Sequence, residues 1–249
     1  MKMNLLVSIR ALTIWLALSV LAACGGGGGS GGTTPPPGSS TPAEATQGFW
    51  SGKPDAQTTV SAVFLAQGPV WTVVQTGTAT TALVVGTATV TTPTFAVTGR
   101  SFALATGATS SYSITGTVVP KGTLSVAASG AAPAYTLVYN KAYETAANLA
   151  DISGAWRASF SGGAVVLSLN VAATGAITGS TNTGCTYTGS VLPHTGGVAV
   201  FDLTLNESCT GSSAVQFSGI ATLNEARTVL SAAFATGNLS GASAFQATR

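Results

Sequence analysis

The chain has 249 residues, 45% of them hydrophobic and only 6% charged, with 31 glycines, three cysteines and a single histidine. Setting aside Lys2 and Arg10 in the N-terminal segment, its nine basic residues fall to seven, against seven acidic ones. A formal charge near zero gives no electrostatic reason to grip a nucleic-acid backbone and leaves no basic patch for anionic lipid, so nucleic acid is not an expected partner.

In chain order, residues 1–23 read as a signal peptide. Lys2 and Arg10 supply a positive n-region, and residues 11–22 (ALTIWLALSVLA) form an apolar run of the length such signals carry. A membrane-spanning helix needs about 20 apolar residues, which this run lacks. It ends in Leu21-Ala22-Ala23-Cys24. That tetrapeptide resembles the lipobox of bacterial lipoproteins. The resemblance implies that the Cys24 thiol takes a diacylglyceryl group and that cleavage leaves Cys24 as the first residue. Acyl chains then hold the protein on a membrane, each buried methylene contributing about 0.8 kcal/mol. Gly25 follows the cysteine where an Asp would imply retention in the inner membrane of a Gram-negative cell. The implied location is the outer membrane, with its cell-surface and periplasmic faces both open.

Residues 24–46 form the lipidated cysteine and a flexible linker (GGGGGSGGTTPPPGSSTPAEAT after Cys24). Gly/Ser runs behave as coil, and Pro-rich runs stiffen toward polyproline II. Gly28-Gly29-Ser30-Gly31-Gly32 fits the G-x-S-x-G nucleophile pattern formally. That pattern works only between a strand and a helix, which a linker cannot supply.

About 200 residues remain to fold, and they divide into similar halves, residues 47–148 and 149–249. The first opens Gly48-Phe49-Trp50 and the second Gly154-Ala155-Trp156. Each then carries two strand cores around a glycine. These are Val85-Gly86-Thr87-Ala88 and Ile114-Thr115-Gly116-Thr117-Val118 in the first half, and Tyr187-Thr188-Gly189-Ser190-Val191 and Phe217-Ser218-Gly219-Ile220 in the second. Alternation is clear in Val165-Leu167-Leu169-Val171, in Phe201-Leu203-Leu205 and in Tyr112-Ile114-Val118. Turn signals fall between the runs at Gln67-Gly68-Pro69, Pro120-Lys121-Gly122, Thr174-Gly175, Thr195-Gly196-Gly197 and Thr236-Gly237-Asn238. Only residues 142–150 suggest a helical turn. The expected fold is all-β: two antiparallel eight-stranded up-and-down barrel-like halves after the linker. A pair of β-sandwiches, or one large barrel, are the alternatives. The short strands lack the aromatic girdles of a membrane-embedded barrel.

Once Cys24 is assigned to the lipid, Cys185 and Cys209 remain, and two cysteines in an exported chain make one disulfide most simply. With one histidine, His194, no metal site is expected, and no cofactor. His194 falls in a hairpin loop as a solvated turn residue. The acids Glu44, Asp55, Glu144, Asp151, Asp202, Glu207 and Glu225 are scattered, without a paired spacing that suggests acid–base catalysis, so the expectation is a non-enzymatic protein. Trp50 and Trp156 read as plugs at one end of a barrel core. Trp71, in the two-sided apolar run Val70-Trp71-Thr72-Val73-Val74, is the candidate for a ligand-facing aromatic. Tyr135, Tyr139 and Tyr143 read as packing between the halves.

The lipobox, Gly-rich linker, G-x-W opening strands, Y/F-x-G-x-apolar strands and the Cys185–Cys209 pair together resemble the transferrin-binding-protein-like surface lipoproteins of Gram-negative bacteria, over residues 47–249. The resemblance implies small eight-stranded barrels on an outer-membrane anchor, with loops that bind a protein partner; the loops here are short and nearly uncharged. The G-x-W start is similar to lipocalins, which carry apolar ligands. A small barrel with one disulfide is similar to periplasmic metalloprotease inhibitors. The functional expectation is therefore a lipid-anchored envelope or surface lipoprotein. It contacts the membrane through acyl chains on Cys24 and binds a protein or small ligand through barrel loops. A periplasmic structural or inhibitor-like module, and a lipocalin-like carrier, are the alternatives.

Overall fold

The computed structural model describes residues 42–249 apart from 67, 130–132 and 161–162. The signal, Cys24 and most of the linker lie outside the described residues. Period-two alternation in Thr/Val-rich runs gives sixteen strands, and their pairing gives two closed barrels. The first is built from β1 (Gly48–Gly52), β2 (Thr58–Phe64), β3 (Pro69–Thr76), β4 (Ala79–Thr91), β5 (Thr94–Ala103), β6 (Ala108–Val119), β7 (Thr123–Val126) and β8 (Tyr135–Asn140). The second is built from β9 (Gly154–Phe160), β10 (Val165–Val171), β11 (Ala176–Thr181), β12 (Cys185–Pro193), β13 (Phe201–Cys209), β14 (Val215–Leu223), β15 (Val229–Ala235) and β16 (Ala242–Thr248).

Each strand pairs antiparallel with the next, and the rings close through β1 with β8 and β9 with β16. Closure removes the unpaired edges that an open sheet of this length would present. Sandwiches and a single large barrel are thereby excluded. The alternating apolar residues of the sequence face inward. Trp50, Phe64, Phe95, Val97, Leu124 and Leu137 fill the first barrel, and Trp156, Leu169, Phe201, Leu203, Leu205 and Phe245 fill the second.

A third apolar cluster lies outside both barrels, in the seam between them. Leu65, Leu83 and Tyr143 from the first half pack with Val198, Val200, Ile220, Ala233 and Ala244 from the second. The seam explains why β3 and β4 read as apolar on both faces. Val84 points into its barrel while Leu83, fully buried, points into the seam. Strands covered on both faces lose the polar half of their alternation. The backbone adds two bonds across the junction: Ala199 N donates to Tyr143 O, and Ala147 N to Val198 O, both at 2.9 Å.

The strand glycines of the repeat are places of close approach. At Gly116 in β6 an added Cβ would lie 2.7 Å from the Phe95 ring, and at Gly219 in β14 it would lie 2.7 Å from the Phe234 Cβ. Phe95 and Phe234 sit directly opposite these glycines on the neighbouring strands. An inward aromatic thus lies against the glycine of the sixth strand in both barrels, from the preceding strand in the first and from the following strand in the second.

Cys185 and Cys209 are disulfide-bonded, 24 residues apart in sequence and directly opposite in the β12–β13 register. Two expectations follow for stability. Gly116→Ala, which forces Phe95 or the β7 backbone to move, should cost about 1–3 kcal/mol of overpacking in urea unfolding. Replacing both Cys185 and Cys209 by Ser should cost on the order of 3 kcal/mol by releasing a loop of this length in the unfolded chain. The loss should appear in the transition of the second barrel.

Candidate functional site at the barrel ends

One end of each barrel is closed by the same device. A short helical turn, Pro42–Ala45 in the first half and Leu149–Ile152 (α1) in the second, runs directly into the G-x-W strand. The indole N–H of Trp50 donates to the Thr46 carbonyl at 2.7 Å, and that of Trp156 to the Ile152 carbonyl at 2.7 Å. Both indoles are at most 1% exposed. Ala45 and Ile152 join the respective cores. Asn148 caps α1, its side-chain oxygen accepting from Ala150 N at 3.0 Å. The plug role read from the sequence for Trp50 and Trp156 is the arrangement found. The sequence assigns Ala45 and Thr46 to the linker. They are instead part of the plug, because the buried indole needs an acceptor four residues back.

The covers over the two plugs differ. Tyr139 meets Trp50 edge-on, with ring centroids 5.2 Å apart. Over Trp156 the Arg249 guanidinium lies 4.5 Å from the ring centroid and donates to the carbonyls of Asp151 (2.9 Å) and Ser153 (3.0 Å). Around this rim run the exposed ion pair Lys121–Glu144 at 2.8 Å and the pair of exposed Arg227 with partly buried Asp151 at 2.9 Å. Such pairs stabilise by less than about 1 kcal/mol each. The rim also carries Lys141, Arg157, Arg249, Glu44, Asp202 and Glu225. Only Lys53, Asp55, Arg100 and Glu207 stand toward the far ends. The plugged rim is thus where the charge of the folded part is concentrated, and there basic and acidic groups balance.

The far ends are closed by aromatic and tyrosyl side chains. In the first barrel Tyr112 and Tyr135 lie side by side above Val126 and Leu137. In the second, Phe217, Phe234, Phe245 and Phe160 make a chain of edge-on contacts with centroids 5.3–6.3 Å apart. The Tyr187 hydroxyl donates to Glu207 at 2.7 Å, beside the disulfide. The void left inside each barrel is about 10 Å³, at the lower limit for one water. Most far-end loops are short: residues 53–57, 77–78 and 104–107 in the first half, and 161–164, 182–184, 210–214 and 236–241 in the second; the connection 127–134 between β7 and β8 is the longest.

The remaining candidates are placed as follows. Trp71 stands on the outer wall of β3 and packs half-buried into the seam, so its ring is engaged between the barrels. Tyr143 packs at the junction; Tyr135 and Tyr139, four apart in β8, share its inner face, so Tyr135 joins the first barrel's core and Tyr139, at the rim, touches both that core and the junction cluster. His194 Nδ1 lies 2.8 Å from Asp202 Oδ1. A carboxylate can only accept, so the pair holds the proton on Nδ1. With His194 N donating to Val200 O, it fastens the base of the loop that docks on the first barrel. Among the described residues no three His, Cys, Asp or Glu side chains gather as a metal site, and no helix is long and apolar enough to cross a membrane. Sequence reading missed Arg249 as a cover; its only signal is a cation at the end of the last strand.

Burial pushes the phenols of all five tyrosines above their ordinary value of 10.0. For Tyr112 burial is reinforced by neighbouring Tyr135, and for Tyr187 by the bond to Glu207. Tyr139 is pushed up to about 12 by burial and by Glu144. The folded state therefore keeps protons that the unfolded chain releases near pH 10. This stabilisation is complete below about pH 10 and is lost as pH rises through the folded values. The urea midpoint should fall above pH 10, and it should fall less steeply in a Tyr112→Phe, Tyr187→Phe double variant.

Comparison with protein-family models, with curated proteins and with solved structures finds no match to this chain.

Proposed function

We propose that the protein is a non-enzymatic envelope lipoprotein. On this reading it is anchored in the outer membrane by acyl chains on Cys24 and binds a protein or small-molecule partner through the loops at the far ends of its barrels. The observation that carries the reading is the polarity of the folded part. The chain enters at the plugged rim, through the turn Pro42–Ala45 and the Thr46 acceptor, and the far-end loops stand at the opposite end of the first barrel. Both interiors are packed, with voids of about 10 Å³, so a ligand has its contacts on the loops. The same packing weighs against lipocalin-like carriage of an apolar molecule. The brevity of all far-end loops except 127–134 favours one competing reading, a structural or inhibitor-like module facing the periplasm.

Metabolic labelling with a palmitate analogue should mark the wild-type chain and leave Cys24→Ser unmarked; equal labelling of both would remove the anchor from this account. Protease treatment of intact cells then separates the readings. Loss of the protein from intact cells supports the surface form, and protection until lysis supports the periplasmic module.

A further inference from the structure

The large hydrophobic side chains that stand out most to solvent share one end of the molecule. Val119 is 61% exposed, Val138 57% and Leu192 53%. Val119 closes β6 just before the turn at Lys121, and Val138 lies two residues before the end of β8. Both flank Thr123 in one cross-strand row: Val119 pairs with Thr123, and Thr123 with Val138. Leu192, next to last in β12, sits opposite Asp202 on the second barrel. All three point outward beside the plugged rim, and the rims adjoin where Tyr143 and Ala147 bond to Ala199 and Val198.

We infer that the plugged rim rests on the phospholipid surface that holds the protein's own anchor, with Val119, Val138 and Leu192 entering the headgroup layer. This rests on the lipid-anchor reading above. Three features of the structure choose this occupant. The chain leaves the described fold at this rim, toward Cys24. The 17 residues 25–41 have an r.m.s. span of about 20–25 Å on the scale of a Gly/Ser coil, which the Pro-rich run lengthens, so their reach is on the order of the height of one seven-residue strand. A tether of that reach brings the plugged rim to the surface most readily, because turning the far end down would draw the tether back along the whole wall. The charges of the rim complete the argument. Its basic and acidic groups balance, so contact depends on the apolar side chains and not on anionic lipid.

The lipidated full-length chain is reconstituted in vesicles with an environment-sensitive dye on Val138→Cys, on Leu192→Cys or, at the far end, on Ala105→Cys. Nitroxide carried at headgroup depth should quench the first two dyes several-fold more than the third, equally in purely zwitterionic and in anionic vesicles. Val119→Asp with Val138→Asp, both at exposed positions, should abolish the quenching at Leu192→Cys without changing the circular dichroism. Equal quenching at all three sites, quenching only at Ala105→Cys, or quenching that needs anionic lipid overturns the inference. Flotation with the vesicles reports the anchor separately. A chain that floats but shows no quenching at Val138→Cys overturns the docking alone, and one that fails to float overturns both readings.

Discussion

A tryptophan at the mouth of a barrel carries an indole N–H that can only donate into a place from which water is excluded. Leaving it unmet would cost about 1–3 kcal/mol. In both halves the acceptor is the carbonyl four residues earlier, which is available only if the chain makes a helical turn immediately before its first strand. That requirement folds Pro42–Ala45 and Leu149–Ile152, brings Ala45 and Ile152 into the cores and sets the angle at which β1 and β9 begin. Closure of each ring depends on that start, since β1 must meet β2 on one side and β8 on the other. The repeat conserves this device while changing its cover, a tyrosine ring in one half and an arginine in the other.

The second constraint is the seam. An isolated barrel of this kind wets its whole outer wall, yet here β3 and β4 turn Trp71, Leu83 and Val85 outward into apolar contact. The partner wall offers Ala233 and Ala244, small side chains that allow close approach. Large residues on one wall and small ones on the other make a fit that two identical barrels could not make with each other. The loop with Val198 and Val200 locks the contact through backbone bonds to the segment joining the halves.

Much of this was legible in residues. Inward alternation, the turns at Gly68, Lys121, Gly175 and Gly197, the Trp plugs, the disulfide and the eight strands per half all leave local signals of period, turn chemistry or counting. The seam left an ambiguous one. The run Val70–Val74 shows that both faces of β3 are covered, but periodicity cannot say by what, and Trp71 reads as a ligand-facing ring until the second barrel is placed against it. Tyr135, Tyr139 and Tyr143 recur every four residues, yet alternation along β8 and the turn after it send the first to an interior and the last to the seam. Thr46 left no signal and Arg249 only that of a cation after the last strand, since their roles come from a carbonyl meeting an indole N–H and a guanidinium meeting a ring by tertiary folding.

Polarity along the barrel axis links fold to function. Charged groups gather where helical turns, plugs and chain reversals need caps and ion pairs, as with Arg227 and Asp151 or Lys121 and Glu144. The far ends use fewer of these: Asp55 accepts from the backbone N–H groups of Gln57 and Thr58 in one loop, and Tyr187 donates to Glu207 beside the disulfide. With only Lys53, Arg100, Asp55 and Glu207, two of each sign, the far ends have little long-range field with which to steer or repel a partner, so recognition there would rest on shape and on hydrogen bonds made at contact. In the docked arrangement proposed above, that end stands away from the lipid by about the height of a barrel. The packed interiors then act as a rigid spacer: with no cavity to collapse and no open edge to fray, a load on the loops passes through the strand ladders to the plug and on to the tether.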